Sequence, residues 1–273
     1  MFNKKISVYL IITFLITWGS WFTVVALLGE SSLRPPLFIL YVFGGFGPTI
    51  SAFITKKLLG EKNEFKSFLK QIIQVKESII WYILIAIAPL VLTFVPWLIN
   101  LVITGKQQMI IQQPIYMLFA MIPVMVIGGG LEELGWRGVF LPELLKKHSV
   151  LVSTIFVALT WTAWHIPLWF IRGVSQYGSN FIEFAFSVIG LTCLLSILYI
   201  KTKSIFMCIM FHSLVNAYMA IFSTQCLDTL SETINILVKF LICAVILIVF
   251  LTTNKKNVLL NKEIIDYFGN TNK

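Results

Sequence analysis

The chain has 273 residues, of which 58% are hydrophobic and only 12% charged, against about 25% charged in soluble domains. Its 21 Lys and Arg outnumber its 12 Asp and Glu, for a net charge of +9. This composition excludes a soluble enzyme, a disordered chain and a nucleic-acid-binding domain, because basic excess in so apolar a chain serves to orient it in a membrane.

Apolar runs of about 20 residues, the length that spans a bilayer as a helix, occur eight times: roughly 6–28, 36–55, 78–103, 114–140, 149–170, 181–200, 204–224 and 231–252. The first follows Lys4 and Lys5, is too long for a signal peptide and lacks a small-x-small cleavage site, so it reads as an uncleaved helix. The expected fold is an all-α, polytopic membrane bundle with about eight transmembrane helices.

Alternating the spans across the membrane puts Lys4, Lys5, Lys56, Lys57, Lys62, Lys66, Lys70, Lys76, Lys146, Lys147, Lys201 and Lys203 on one side. Lys255, Lys256, Lys262 and Lys273 of the tail fall there too. The other side holds Arg34, Lys106 and Arg172, with Lys239 inside the last run. The positive-inside rule then predicts a multi-pass protein of the cell membrane with both termini in the cytoplasm. The short segment 60–77, with Phe65, Phe68, Leu69 and Ile72 on one face, is expected to lie on the inner leaflet or to form an ordinary solvated helix. Cys193, Cys208, Cys226 and Cys243 show no paired spacing and read as packing residues.

Polar groups inside three spans stand out. In the fourth, Gly128-Gly129-Gly130-Leu131-Glu132-Glu133-Leu134-Gly135-Trp136-Arg137 carries three ionisable residues within six positions. Each costs about 2.5–3.5 kcal/mol near mid-bilayer, which by default marks a functional site facing the bundle interior. Glu133 and Arg137 are spaced i, i+4 and can pair. Glu132 is rotated about 100° away, which leaves it as the carboxylate available for chemistry. The alternative is one structural ion-pair cluster. The glycines suit close helix contact; they lack the strand-and-helix context of a phosphate loop.

In the fifth span, Trp161-Thr162-Ala163-Trp164-His165-Ile166-Pro167 sets a histidine beside a proline that removes a backbone donor, so the helix is expected to bend near His165. In the seventh, His212 and Asn216 are again i, i+4 and project from one face. A lone histidine or an interhelical hydrogen-bonding pair would explain either alone, but three helices with such groups point to a shared site. At about 1.5 Å per residue, Glu132 and His212 lie roughly 12–15 Å from the cytoplasmic edge and His165 nearer 20 Å. The site is therefore expected to open inward, with His165 brought into line by tilt or by the bend.

A carboxylate, two imidazoles and a side-chain amide in a low-dielectric cavity supply a water-activating base and hydrogen-bond donors, the parts needed to hydrolyse an acyl bond. Neither H-E-x-x-H nor G-x-S-x-G occurs. A thiol and base pair of Cys208 and His212 would leave the glutamates idle.

These residues resemble a known family. Glu132-Glu133-Leu134-Gly135-Trp136-Arg137, Trp161 with His165, and His212 with Asn216 match in order and approximate spacing the EExxxR, FxxxH and HxxxN/B motifs of the type II CAAX prenyl endopeptidase family, also called CPBP or Abi. The resemblance runs from roughly Gly128 to Ala217 and departs at Trp161, where the pattern has phenylalanine, a change between two bulky aromatics. It implies that Glu132 and His165 activate the attacking water, that His212 and Asn216 form the oxyanion hole, and that Glu133 and Arg137 hold the site together. It further implies a division into N-terminal helices with the amphipathic loop (1–110), a protease-like core (111–253) and a polar cytoplasmic tail (254–273).

The expected partners are the lipid bilayer and a membrane-associated peptide or protein substrate, with no nucleic acid. Family members act on prenylated C-termini or are linked to bacteriocin self-immunity and peptide processing. No cofactor is expected. One alternative places a zinc ion on Glu132, His165 and His212, since two imidazoles and a carboxylate make a credible zinc site; another is a non-catalytic immunity or signalling scaffold of the same fold.

Overall fold

A computed structural model describes residues 3–29 and 33–253; the tail expected at 254–273 lies outside the described residues. Helix α1 (Lys4–Leu28) begins at Asn3, whose side chain accepts the Ile6 N–H at 2.9 Å and so satisfies one of the free donors of the first turn. Helices α2 (Pro35–Gly45) and α3 (Gly47–Leu59) form one span bent by 43°. Gly47 lets this span lie on α1, because a Cβ there would sit 2.1 Å from Thr17 Oγ1. A short helix, α4 (Glu64–Ile72), precedes α5 (Ile79–Thr104), which carries Pro89 and Pro96. Strand β1 (Gln107–Ile111) follows.

The fourth span, Ile115–Leu145, is not the continuous helix its hydropathy suggests. Helix α6 (Leu118–Ile127) stops at Gly128. A 3-10 turn, Gly130–Glu132, then leads through a single α turn, α7 (Glu133–Gly135), into a π-helical stretch, Trp136–Phe140, and helix α8 (Leu141–Leu145). Irregular backbone at membrane depth is tolerated where protein surrounds it, and from Gly129 to Leu145 every residue except Leu131 is buried. Helix α9 (Val150–Trp164), capped by Ser149, passes at His165 into a 3-10 segment, Ile166–Phe170. Here the His165 N–H bonds to the Thr162 carbonyl at 3.2 Å, which is the distortion expected from Pro167.

The chain continues through α10 (Phe181–Thr202), α11 (Ile205–Ile221), strand β2 (Phe222–Cys226) and α12 (Thr229–Thr253). Among the described residues, six helices are long and apolar enough to cross a bilayer, or seven with the bent α2–α3 pair as one span. The remaining apolar run, the seventh, is α11, only 17 residues long, which packs against α5, α6 and α10 inside the bundle. The protein is a multi-pass, predominantly helical membrane bundle. Its four cysteines are free, three of them buried.

The two ends of the bundle sort as the lysine distribution requires. At one end Lys5 meets Glu64 at 2.6 Å, Lys56 meets Glu64 at 2.8 Å and Lys146 meets Glu143 at 2.7 Å. There too the Tyr199 hydroxyl donates to Gln71, and Gln74 donates to the Thr202 carbonyl. At the other end β1 and β2 pair antiparallel, from Gln107 opposite Cys226 to Ile111 opposite Phe222.

Helix α4 packs much of its apolar face on the protein. Phe68 is buried, packed on Gly138, where a Cβ would lie 2.6 Å from its ring. Phe65 and Ile72 pack against the same core, while Leu69 stays exposed. Burying a Phe side chain contributes about 1.5–3 kcal/mol, and the missing side chain at Gly138 makes room for it.

Candidate active site

The irregular stretch 129–137 presents its two glutamates in different directions. Glu133 turns inward: its Oε1 lies 2.9 Å from His212 Nδ1, and Arg137 Nη1 donates to Oε1 at 3.1 Å while lying 2.8 Å from Oε2. Glu133 and Arg137 are fully buried. The guanidinium also donates to the Thr192 carbonyl at 3.4 Å, and its Cζ stands 5.0 Å from the centre of the Trp161 ring, close enough for a cation–π contact. The i, i+4 pairing read from the sequence is therefore present, and it recruits His212 as a third member.

Glu132 faces another way. Its Oε2 accepts the Trp161 indole N–H at 2.7 Å and the Trp136 indole N–H at 3.4 Å. Its Oε1 has no protein donor among the described residues. A carboxylate with one oxygen held and the other free has a defined orientation and an open acceptor.

His165 sits where α9 gives way to the 3-10 segment. Its Nδ1 is 2.7 Å from the Trp161 carbonyl. A carbonyl can only accept, so Nδ1 carries the hydrogen and, in the neutral ring, Nε2 is left as the acceptor. Aromatic rings enclose it, with Trp164 at 4.7 Å, Phe184 at 4.9 Å and Trp161 at 5.9 Å between centroids. Trp164 is in turn tied to α1, donating its indole N–H to Thr17 Oγ1 at 2.8 Å and accepting the Trp18 indole N–H on its carbonyl at 3.1 Å.

His212 and Asn216 share a face of α11, as their spacing requires. Both reach the glycine turn: a Cβ on Gly129 would lie 3.3 Å from His212 Nε2 and 2.3 Å from Asn216 Nδ2. A Cβ on Gly130 would fall 2.2 Å from Ser213 Oγ. These two glycines permit the close approach of α11 to the fourth span, in keeping with the packing role expected for them. Cys208 lies one turn from His212 on α11, but it is fully buried and its thiol points to the Leu195 carbonyl at 3.8 Å, while His212 Nδ1 is directed to Glu133.

The structure thus brings Glu132, Glu133, Arg137, His212 and Asn216 around one glycine turn, with His165 joined to them through Trp161. Among the described residues no three His, Cys, Asp or Glu side chains converge as a metal-binding group. A zinc site on Glu132, His165 and His212 would have to use Nε2 of each ring, since each Nδ1 already faces an acceptor.

Residues 114–218 match the family model of the type II CAAX prenyl endopeptidase, Rce1-like. A protein of Methanococcus maripaludis described as CAAX prenyl protease 2 is 27% identical over 239 residues, covering 79% of this chain and 83% of that protein. Over this stretch the chain is similar to the type II CAAX prenyl endopeptidase family. All six singled-out residues, from Glu132 to Asn216, fall inside the matched stretch. The family is one of membrane endopeptidases, which agrees with the multi-pass architecture and with the polar cluster at its centre.

Two contributors to this candidate site are not apparent from spacing. Trp136 and Trp161 both donate to Glu132. Trp161 is more than a bulky stand-in for phenylalanine: its indole N–H makes the shorter of the two bonds to Glu132, and phenylalanine has no such donor. An indole positioned to meet a buried carboxylate is visible only once α9 and the fourth span are placed side by side.

Proposed function

We propose that the protein is an intramembrane endopeptidase of the glutamic type, in which Glu132 and His165 activate water and His212 and Asn216 stabilise the oxyanion. The observation that carries this reading is the arrangement of Glu132: Oε2 is held by two indoles, Oε1 is free, and the His212–Asn216 face of α11 packs on the adjoining glycine turn. The carboxylate takes a proton from water as the oxygen attacks the scissile carbonyl carbon, and returns that proton to the leaving amine when the tetrahedral intermediate collapses. His165, with its hydrogen committed to the Trp161 carbonyl, offers Nε2 to the same water. The Asn216 amide donates to the developing oxyanion. His212, held through Nδ1 by the Glu133 carboxylate, turns Nε2 toward the same oxyanion position. Glu133 and Arg137 hold α11 and the fourth span in register.

The substrate class that fits is a membrane-associated peptide with a CAAX-like C-terminus or of the bacteriocin type, acted on near the cytoplasmic face with both termini of the enzyme inside. Residues 111–253 form the catalytic core, and 1–110 complete its wall through the contacts of Thr17 and Trp18 with Trp164. The test is cleavage of a labelled prenylated peptide by purified wild-type, Glu132→Gln and His165→Ala proteins. Both variants are expected to remain monodisperse and to lose cleavage, and retained activity in Glu132→Gln would sink the mechanism. A cellular phenotype that survives Glu132→Gln would instead indicate a non-catalytic scaffold. Comparing membrane peptides by mass spectrometry in cells carrying the wild-type or the Glu132→Gln protein would identify the substrate.

A further inference from the structure

Trp161 is in contact with four members of the cluster, and it uses three different groups to do so. Its indole N–H reaches Glu132 Oε2 at 2.7 Å, and its backbone carbonyl receives His165 Nδ1 at 2.7 Å. Its ring meets the His212 ring edge-on at 5.1 Å and 79° and lies beneath the Arg137 guanidinium. The side chain is 1% exposed, so no water competes for the N–H. A hydrogen bond to a carboxylate in such surroundings is among the stronger kinds, and at 2.7 Å it outranks the 3.4 Å contact from Trp136.

We propose that Trp161 is the positioning residue of this site: its indole N–H fixes the Glu132 carboxylate with Oε1 toward the water to be activated, while its carbonyl fixes the His165 tautomer. The proposal rests on the assignment of Glu132 and His165 as the water-activating pair. It goes beyond that assignment in tying both groups to one residue, at a position where the family pattern places phenylalanine. In this chain, phenylalanine at 161 keeps the ring stacked under Arg137 and the backbone carbonyl but removes the donor, so Glu132 keeps only the long bond from Trp136.

Two measurements on the full-length protein in detergent test this. In the first, Trp161→Phe is assayed with a prenylated peptide. The expected result is a kcat lowered by about ten- to a hundred-fold, the worth of one hydrogen bond to a charged group, with KM within two-fold of wild type. An unchanged kcat, or a loss carried entirely by KM, overturns the proposal. In the second, the indole N–H resonance of Trp161, assigned by its disappearance in Trp161→Phe, is followed in Glu132→Gln by nitrogen-15 NMR. The resonance is expected to move while that of Trp164, bonded to Thr17, stays in place. A Trp161 resonance indifferent to Glu132→Gln overturns the proposal whatever the activity. Absence of cleavage by the wild-type protein, by contrast, counts against the protease reading and leaves the spectroscopic test to decide the contact.

Discussion

Glu133 serves two partners at once, holding Arg137 on its own helical segment at 2.8 Å and His212, 79 residues further along the chain, at 2.9 Å. With Nδ1 of His212 directed to this carboxylate, only Nε2 is left to face the glycine turn. A buried ion pair is costly to break from one side, because the surviving charge stays desolvated. Arg137→Leu is therefore expected to destabilise the fold by about 3–5 kcal/mol, read as a lowered thermal unfolding midpoint in detergent. A variant that unfolds at the wild-type temperature would contradict the pairing.

Gly130 and Gly129 lead to separable outcomes. A methyl group on Gly130 collides with Ser213 Oγ and comes within 3.1 Å of the Ile209 carbonyl. Gly130→Ala should therefore cost about 1–3 kcal/mol as an overpacked contact, with part of the loss relieved by adding Ser213→Ala. On Gly129 the methyl meets the far end of the Asn216 side chain, which can swing aside. Gly129→Ala should accordingly cost activity more than stability, and equal losses in the two variants would argue against Asn216 acting in the oxyanion hole.

Metal removal gives a third prediction. Since the proposed chemistry draws on Glu132 and His165 themselves to activate water, cleavage is expected to persist after exhaustive chelation and dialysis. Loss of activity on chelation, restored by one equivalent of zinc, would transfer the site to the metal-dependent reading.

Helix α4 predicts a pH response away from the membrane interior. Burial alone would raise the Glu64 carboxyl, but the charge of Lys56 and hydrogen bonds from Lys5, Lys56 and the Glu61 N–H outweigh it and hold the group down at about 2. A depressed carboxyl contributes stability that is present above its unfolded value of about 4.3 and is lost as pH falls through the folded value. The α4 clamp should hold at neutral pH, weaken from near pH 4 and open toward pH 2. Limited proteolysis or hydrogen exchange of 60–77 will follow this, and Glu64→Gln should show the open pattern already at pH 7.

Much of this architecture is legible in the sequence, for physical reasons. Apolar runs long enough to cross a bilayer and lysines confined to alternate loops are strong signals, and the ends of the bundle sort accordingly. The pairing of Glu133 with Arg137 follows from helical spacing, and the distortion at His165 follows from Pro167. The break at Gly128 and the π-helical stretch after Gly135 left no mark in hydropathy, because a buried irregular segment is as apolar as a buried helix. Partners from distant segments were equally hidden: the indole of Trp161 against Glu132, the Thr192 carbonyl against Arg137, and Phe68 docked on Gly138 depend on which helices become neighbours. Periodicity within one helix does not carry that information.

The i, i+4 pairing of Glu133 with Arg137 also bears on how the protein is made. Spans enter the bilayer in the order of synthesis, and His212 emerges long after Glu133. Arg137 comes only four residues behind, so the carboxylate is accompanied into the membrane by a neutralising cation from its own segment. The imidazole and the rest of the cluster join later. The fully buried Glu133 charge is thus not inserted alone, and the polar cluster remains incomplete until the seventh apolar segment has arrived.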